Sequence, residues 1–574
     1  MSINDPERQK RSVIIVLCAV MLVSMVIVVV FSVRLSRNDD NDEIKTGGKN
    51  VHTAPSMKAI RSICQLTDFK RTCVEEVMAE SSNTTDVKEL VQAAFKATIK
   101  YMRRASKNST TLRDLQKDLR SKRALDICKQ LTRYSVYELQ KSFNKINEFG
   151  NATSDKTLAD MKIWLSATIT NQRTCLEGFK NTTTNARQKM KKAMTISMEL
   201  SKDGLAMISE LADIQGGVHR RLLSNDKVAI TGGRGNSDSG TALENVFSRR
   251  LLQVDKADVV VAKDGSGSFK TIKGAMSSIP HNSPKPFVIY IKEGIYMENI
   301  KFDYGMKNVV LIGDGKEKTR ITGSRNNADG IPTFRTATVA VNGDKFFAKN
   351  IGFENSAGAA KLQAVALMVI SDFAVFYNCS MDGYQRTLYV HSKRQFYRNC
   401  IVSGTADFVF GDAAAVFQDC TFLVRKPLDG QKAVVTAQAR SDIREPTAIV
   451  IHNSSFMAAP EMVHVRHKFP TYLGRPGGKF ARTIVMVSYL DDLIKPEGWT
   501  TWAGGTWGIN TCFYAEFNNH GPGSRTTARV QWPGIKEITT ETARTFTPNA
   551  FFDGVDSWIT ARGVPYTPGF LTTK

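Results

Sequence analysis

The pattern of hydrophobic and polar positions changes twice along the chain. Residues 13–33 read VIIVLCAVMLVSMVIVVVFSV, 21 residues without a charge, which is long enough for a helix to span a bilayer. From about residue 56 to 211, apolar residues recur three and four positions apart, as in KELVQAAFKATIKYMRRASKN, and this period predicts long helices. Beyond residue 254 the apolar runs are short and bounded by Gly, Asn and Asp, which is typical of β-strands.

The helical pattern predicts an antiparallel bundle over residues 55–215. Proline is absent between residues 56 and 211, and polar segments separate the apolar stretches, as in bundles with short connections. A secreted protein would use the four cysteines of this region as two disulfides; they are Cys64, Cys73, Cys128 and Cys175. An inhibitory partner and a folding or targeting domain both fit this periodicity.

The second half of the chain carries a repeat with one polar and one apolar position in fixed register. Five copies begin 28, 21, 20 and 34 residues apart, at Asn350, Asn378, Asn399, Asp419 and Asn453. A short β-rich unit repeated roughly every 20 to 30 residues indicates a solenoid, here a parallel β-helix. Adjacent strands of such a stack lie about 4.8 Å apart, so we expect Cys379 and Cys400, one coil apart, to form a disulfide.

Side chains one coil apart stack on the same face of a β-helix, and this brings three polar residues together. Gln363, Gln385 and Asp407 are separated by 22 and 22 residues, so we expect them in one column. Two amide N–H donors beside a carboxylate resemble an oxyanion hole next to a nucleophile, the arrangement that acyl transfer requires. A structural polar ladder is the alternative interpretation.

The N-terminal apolar segment predicts a membrane-anchored secretory protein. A tail of residues 1–12 carries Arg8, Lys10 and Arg11 ahead of a signal anchor at residues 13–33, which favours a cytoplasmic N-terminus. Sequences for N-glycosylation all follow the span, as an extracellular body needs; they begin at Asn83, Asn108, Asn151, Asn181, Asn378 and Asn453. We expect this protein to contact the membrane only through its anchor.

The charge of the chain constrains its partners. Its 78 Lys and Arg residues exceed its 55 Asp and Glu residues, which leaves a net charge of +23 and favours an acidic partner. No nucleic-acid recognition motif accompanies this charge, so nucleic acid is excluded as a partner, and an acidic polysaccharide explains the charge more simply. The nine cysteines form no CxxC or Cys/His ligand set, so no metal site is expected.

Residues 216–254 lose the helical period and predict a linker. They include the Gly/Ser/Asn-rich run TGGRGNSDSG, a composition typical of flexible connections. The tetrapeptide Arg-Arg-Leu-Leu occurs twice, at residues 220–223 and 249–252. An exposed dibasic sequence in a secreted protein invites proteolysis, so we expect a processing protease to release the region that follows.

Five segments of the second half form an ordered set of motifs: GIYMENI, QAVAL, GYQRTLY, GTADFVFG and YLGRPGG. In order and spacing they resemble the signatures of plant pectinesterases (pectin methylesterases), and the resemblance covers residues 255–574. The preceding region is similar to the pectinesterase-inhibitor domain found in longer members of that family. The expected fold is therefore an all-β right-handed parallel β-helix, preceded by an all-α four-helix bundle and the N-terminal transmembrane helix.

The resemblance implies a chemistry for the polar column. Members of this family remove methyl groups from the galacturonate esters of pectin with a carboxylate nucleophile and a second carboxyl group, without metal or cofactor. By motif, Asp407 takes the nucleophile position, and Gln363 and Gln385 take the oxyanion positions. Arg475 matches the arginine that holds the nucleophile, and Thr333 matches a substrate-contacting position.

The resemblance also bears on the helical region. Together with the preference of short loops for local closure, it implies disulfides that join Cys64 to Cys73 and Cys128 to Cys175. The two RRLL sequences look like the processing sites of the family. The helical region would then be an inhibitor-like partner of the chain's own catalytic domain.

Two positions depart from the family pattern, and both fall at the candidate site. The family has aspartate directly after the second glutamine, where this chain has Arg386. A guanidinium stays protonated, so it can neither protonate the methoxide leaving group nor accept a proton from water, and catalysis should suffer. Gly477 stands where the family has tryptophan, which removes a ring from the expected sugar-binding surface.

The sequence therefore predicts a cell-wall pectinesterase that acts on methylated homogalacturonan, releases methanol and pectate, and is impaired by Arg386. We expect a precursor anchored in the secretory pathway and an extracellular protein after processing. The alternative is a catalytically inactive protein that binds pectin or inhibits another pectinesterase. Arg386 favours this alternative, because it adds a cation for galacturonate carboxylates.

Overall fold

The computed structural model describes residues 55–107, 119–148, 154–180, 182, 185–225, 257–502, 504–552 and 558–570. These residues belong to two compact units. The first unit comprises the described parts of Met1–Arg103, Leu139–Leu165 and Met194–Thr231. The second comprises those of Arg104–Glu138, Ser166–Ala193 and Gly232–Lys574.

Helices account for the described residues before position 226, as the hydrophobic period predicts. They are α1 (Pro55–Cys64), α2 (Lys70–Glu80), α3 (Val87–Lys107), α4 (Leu119–Lys145), α5 (Ser154–Gly178) and α6 (Ala186–Asn225), with a 3-10 turn at Ile146–Glu148. In α3, the side chains of Leu90, Ala94 and Ala97 are buried, so the helix packs through positions spaced four and three residues apart. The predicted helical region, with four long helices, is confirmed.

Residues after position 257 wind into coils whose strands stack into three parallel sheets. The first sheet has 11 strands: β1 (Val259–Val261), β2 (Phe287–Ile291), β5 (Val309–Gly313), β8 (Phe347–Lys349), β11 (Ala374–Tyr377), β14 (Arg394–Arg398), β17 (Ala414–Gln418), β20 (Ala448–His452), β23 (Arg482–Met486), β25 (Phe513–Phe517) and β26 (Ile535–Lys536). The second has 7: β4 (Ile300–Phe302), β7 (Val339–Val341), β10 (Leu367–Val369), β13 (Leu388–Val390), β16 (Ala406–Gly411), β19 (Ala433–Gln438) and β22 (Thr471–Gly474). The third has 8: β3 (Gly294–Met297), β6 (Thr319–Gly323), β9 (Gly352–Asn355), β12 (Ser380–Asp382), β15 (Ile401–Gly404), β18 (Thr421–Val424), β21 (Ser455–Ala458) and β24 (Tyr489–Leu490).

Short helices interrupt or follow the coils. They are α7 (Ile272–Ala275), α8 (Pro460–Val463), α9 (Thr540–Arg544) and α10 (Pro548–Phe552), with 3-10 turns at Met276–Ser278, Thr333–Arg335, Ala359–Lys361, Arg466–Lys468, Pro522–Ser524 and Thr560–Arg562. Successive strands of each sheet come from successive coils, so the predicted parallel β-helix is confirmed for this region.

The register of the coils explains the polar repeat of the sequence. The first residue of each copy of the repeat has a left-handed backbone conformation, with φ between 49° and 58°; these residues are Asn350, Asn378, Asn399, Asp419 and Asn453. Asn and Asp adopt this conformation more readily than other non-glycine residues, which accounts for their recurrence. Inside the coils, aromatic rings also stack: Tyr397 lies between Phe376 and Phe417, with ring centroids 5.0 and 4.5 Å away.

The cysteines of the helices are paired, whereas those of the coils are not. Disulfides join Cys64 to Cys73 and Cys128 to Cys175, which confirms both predicted pairs. Free, buried thiols make up the rest of the described cysteines: Cys379, Cys400, Cys420 and Cys512.

The expected disulfide between Cys379 and Cys400 is therefore wrong. The Sγ of Cys379 donates to the carbonyl oxygen of Ala348 at 3.5 Å, and the Sγ of Cys400 donates to that of Phe376 at 3.4 Å. Because the coils stack in register, the two side chains point in the same direction into the core. Each thiol donates to a backbone carbonyl oxygen of the preceding coil, so the stacked thiols stay free.

The predicted linker begins later than residue 216. Helix α6 continues to Asn225, so the first Arg-Arg-Leu-Leu sequence, residues 220–223, is helical. Gly216 and Gly217 each cost about 1 kcal/mol relative to alanine, whereas every added residue of a formed helix gains a hydrogen bond. The second Arg-Arg-Leu-Leu sequence lies outside the described residues.

The predicted tail and signal anchor also lie outside the described residues. Among the helices that the structure does describe, none combines the length and the apolar character needed to cross a membrane.

Two of the predicted glycosylation sites belong to the polar ladder of the coils. The Nδ2 of Asn378 donates to Asn350 Oδ1, and the Nδ2 of Asn453 donates to Asp419 Oδ1. Glycosylation at these two positions stays a prediction, because a glycosylated Nδ2 keeps one hydrogen that can donate to the same oxygen. Asn83 is exposed. The remaining predicted acceptors lie outside the described residues: Asn108, Asn151 and Asn181.

Candidate active site

The three polar side chains predicted to form one column are divided between two pairs, and Arg386 completes the second pair. Gln363 makes a parallel bridge to Gln385. The N–H of Arg386 donates to the carbonyl oxygen of Ala406 at 3.0 Å, and in a parallel ladder this bond sets Arg386 opposite Asp407. The step from Gln363 to Gln385 is 22 residues, whereas that from Arg386 to Asp407 is 21. Asp407 therefore has an arginine, not a glutamine, as its stacked neighbour.

Both members of the second pair have unusual backbone conformations. Arg386 has a φ of 64° and Asp407 a φ of 51°. At Arg386 a left-handed conformation costs on the order of 1–3 kcal/mol, whereas Asp407 adopts it more readily, as Asn and Asp do elsewhere in the coils. Asp407 lies within β16, where the register to β19 shifts between Ala406 and Val409.

An arginine fork holds the candidate nucleophile. Arg475 directly follows β22, and its Nε and Nη2 donate to Oδ1 and Oδ2 of Asp407, each at 2.7 Å. The Asp407 side chain is 1% exposed, so this bidentate pair both neutralises a buried carboxylate and fixes its orientation. Burial raises the pKa of Tyr514 well above its ordinary value, and the nearby Asp407 charge adds to this effect.

Arg386 lies between the carboxylate and an aromatic floor. Its Nε is 3.9 Å from Asp407 Oδ2, and its guanidinium carbon is 4.7 Å from the ring centroid of Phe410. Phe410 in turn stacks on Tyr389, with ring centroids 4.0 Å apart. The buried Nε of Arg386 has no hydrogen-bond partner among the described residues. The Arg386 side chain thus places a second cation beside Asp407, and its Nε–H remains able to donate a hydrogen bond.

Thr333 orients the first glutamine. Its Oγ1 donates to Oε1 of Gln363 at 2.9 Å. Because this bond occupies the amide oxygen, the amide nitrogen of Gln363 remains as a donor. Thr333 and Gln363 are thus brought together, a contact that the resemblance did not specify.

A cavity of about 970 Å³ opens beside these residues, within the second unit. It is lined by four of the predicted site residues: Thr333, Gln363, Arg386 and Gly477. Its lining also includes five cationic side chains, against one carboxylate from Glu177; the cations are Arg120, Arg173, Lys180, Arg187 and Arg386. A cavity of this size and charge suits a short segment of an anionic polymer.

The second unit also places a polar stripe of α5 near this cavity. Thr170 Oγ1 donates to Asp412 Oδ2 at 2.7 Å, and Arg173 donates to the carbonyl oxygen of Ala439. Thr174 Oγ1 lies 3.0 Å from Nε2 of His391, whose burial lowers its pKa to about 3.

Several of these contacts were missed by reasoning from the sequence. The spacing of Thr170, Arg173 and Thr174, three and four residues apart on one side of a helix, was the available signal. Trp502 and Trp507 also line the cavity, and two tryptophans within the Gly/Thr-rich segment TTWAGGTWG were the signal for them. Nothing in the sequence indicated that Phe410 would contact Arg386, apart from its place in a strand.

Comparison with known proteins assigns the chain to a family. The family described as "Pectinesterase" matches residues 258–555, and that described as "Plant invertase/pectin methylesterase inhibitor" matches residues 58–207. The chain belongs to the pectinesterase family. Pectinesterases are carboxylic ester hydrolases, and the helical region of this one is similar to their inhibitors.

Named relatives match nearly the whole length of this chain. Pectinesterase/pectinesterase inhibitor 28 of Arabidopsis thaliana is 45% identical over 579 residues, covering 99% of this chain and 76% of that protein. Pectinesterase/pectinesterase inhibitor 21 of the same species is 43% identical over 580 residues, covering 99% and 84%. The structure of pectin methylesterase from carrot superposes with a TM-score of 0.54 at 46% identity, covering 55% of this chain and 98% of that one.

Proposed function

We propose that this pectinesterase hydrolyses the methyl esters of cell-wall homogalacturonan through Asp407, at a turnover that Arg386 keeps low. The observation that carries the proposal is the buried Asp407 carboxylate, held by two 2.7 Å bonds from Arg475 and paired on its other side with Arg386. The fork supports nucleophilic attack by an oriented carboxylate. Arg386 supplies charge where the reaction needs a proton.

The proposed reaction has two steps. An oxygen of Asp407 attacks the ester carbonyl carbon, the amide nitrogens of Gln363 and Gln385 donate to the developing oxyanion, and the C–OCH₃ bond breaks. Methoxide must then take a proton, and in this site water supplies it, because a guanidinium does not. The hydroxide left from that water then attacks the acyl carbonyl carbon of the acyl-enzyme and breaks its bond to Asp407. This restores the Asp407 carboxylate and releases the galacturonate carboxyl group, whose proton passes to solvent.

Methanol release from methylated pectin tests this proposal. Replacing Arg386→Asp should raise the rate by about 10²-fold or more, the effect expected of a restored acid–base group. Arg386→Lys is the matched control, since it keeps a cation and should show no such gain. Asp407→Asn should abolish turnover in both backgrounds. A parent protein as fast as its relatives, with no gain from Arg386→Asp, would show that another group supplies the proton.

A second candidate function is binding of demethylated pectin without turnover. The five cationic side chains around the cavity favour it, because each free galacturonate carries a negative charge. Arg386→Gln should then weaken binding of a demethylated oligogalacturonide more than binding of its fully methylated form. Equal losses for both ligands would contradict a role for Arg386 in recognising carboxylates.

We further infer that the protein is secreted from an anchored precursor and that a protease cuts its linker. Helix α6 includes the first Arg-Arg-Leu-Leu sequence, and a helical backbone must open before a protease can cut it, so residues 249–252 are the favoured site. N-terminal sequencing of cell-wall protein should give Gln253; recovery of full-length chains only would reject processing.

A further inference from the structure

The position that lost its family tryptophan does not leave an empty space. The N–H of Gly477 donates to the carbonyl oxygen of Gln438 at 2.8 Å. A Cβ atom at this position would lie 2.8 Å from the carbonyl oxygens of both Ala437 and Gln438, closer than carbon and oxygen pack without repulsion. The backbone after Arg475 thus lies directly against the end of β19. No ring can be restored at position 477 unless the main chain moves.

A neighbouring segment brings an indole to the same edge of the cavity. Gly508 has a φ of 75°, and a Cβ there would lie 2.7 Å from the Cβ of Pro476, so this segment packs against the turn that contains Gly477. Trp507 and Gly477 both line the cavity. Trp507 is 55% exposed, and among the described residues no other aromatic side chain is exposed.

Trp502 lines the cavity as well, but its ring already has a partner. The Arg475 guanidinium carbon lies 3.7 Å from its centroid, and its Nε1 donates to the carbonyl oxygen of Pro476. Trp502 therefore supports the arginine that holds Asp407 and has one face occupied. Trp507 presents more of its surface to a ligand.

We propose that Trp507 is the platform on which a galacturonate ring of pectin stacks beside the Asp407 site, in place of a ring at position 477. The inference rests on the proposed function, because it names a contact of the same substrate. The C–H groups of a sugar ring pack on an aromatic face, while the cations around the cavity attract carboxylates without fixing the ring's orientation. Trp507 is thus a specificity-determining residue that acts on binding and not on proton transfer.

The test uses the full chain and a short, partly methylated oligogalacturonide. Trp507→Ala should raise the Kd from calorimetry and the KM for methanol release about tenfold, equivalent to about 1.4 kcal/mol, with kcat unchanged. Trp507→Phe keeps a ring and should stay close to the parent. Met297→Ala, at a side chain that is 84% exposed, is the matched surface control and should change neither constant.

The outcomes separate this inference from the proposed function. If the parent binds or hydrolyses the ligand and Trp507→Ala leaves Kd and KM unchanged, the platform is refuted and the proposed function stands. If Trp507→Ala lowers kcat alone, Trp507 holds the turn at Pro476 and the platform is equally refuted. If the parent neither binds nor hydrolyses the ligand, both proposals fail.

Discussion

The helical region and the coiled region of this protein use cysteine in opposite ways. The backbone hydrogen bonds of a helix lie within that helix, so only side chains hold two helices together. A disulfide between two helices therefore adds a restraint on the unfolded chain, and Cys128–Cys175 closes a separation of 47 residues. In the coils, each strand between the two ends of a sheet is already bonded to the coils before and after it. The thiols of Cys379, Cys400 and Cys420 serve there as small apolar side chains. Cross-links stabilise one region, and stacking stabilises the other.

The largest expected effect is the loss of a stacked ring in the coils. Tyr397→Ala removes two ring contacts and the hydrogen bond from the Tyr397 hydroxyl to Gln395 Oε1, so it should lower the free energy of unfolding by about 4 to 5 kcal/mol. Denaturant unfolding of the full chain measures this. Tyr397→Phe is the control and should lose about 1 kcal/mol; a small effect of the alanine variant would mean that the coils do not depend on ring stacking.

Removal of the longer disulfide should come next. Cys128→Ser with Cys175→Ser should cost about 4 kcal/mol by loop-closure entropy, whereas the same change at Cys64 and Cys73, separated by 9 residues, should cost about 2.5 kcal/mol. Thermal unfolding of both double variants gives the order. Equal losses would contradict an entropic origin.

Acid should weaken the coiled region through the buried His391, one of two buried histidines among its described residues. The pKa of His391 is lowered by burial from its ordinary 6.5 to about 3, so between these values the unfolded chain binds a proton that the folded chain does not. Stability is therefore complete above pH 6.5 and falls as the pH drops, by about 2 to 3 kcal/mol near pH 4.5. Unfolding measured against pH, in the parent and in His391→Asn, should show a flatter profile in the variant; parallel profiles would exclude His391.

The smallest effect is expected at the free thiols. Cys400→Ala removes one buried sulfur and should cost about 1 kcal/mol, and mild reduction of the parent should leave the coils unchanged while it opens the helical disulfides. Thiol labelling after unfolding, with and without reductant, separates the two groups. If Cys379 or Cys400 reacts only after reduction, that cysteine is in a disulfide, and the contrast between the helical and coiled regions is contradicted.

Much of the candidate site followed from residue spacing and motif resemblance, but its pairing did not. The structure joins Arg475 to Asp407 and Thr333 to Gln363 by hydrogen bonds, whereas the catalytic roles of these residues stay predictions. The spacing argument assumed two equal steps of 22 residues and therefore paired Asp407 with Gln385. The step to Asp407 is 21 residues, so its stacked neighbour is the next residue along the chain, Arg386. The motif comparison predicts only a missing ring at Gly477, whereas carbonyl oxygens 2.8 Å from the position of a Cβ atom there show that the backbone leaves no room for one.

The sequence by itself determined the features that depend on local periodicity. The 3.6-residue period determined the helices, the short β-rich repeat determined the coils, and the recurring Asn and Asp reflect a backbone conformation that these residues tolerate. Only the tertiary structure decided which side chains meet across coils, because register depends on the length of every turn between strands. It left the Cys379 and Cys400 thiols free, continued α6 to Asn225, and brought Trp507 to the edge of the cavity, where an exposed ring can contact a sugar.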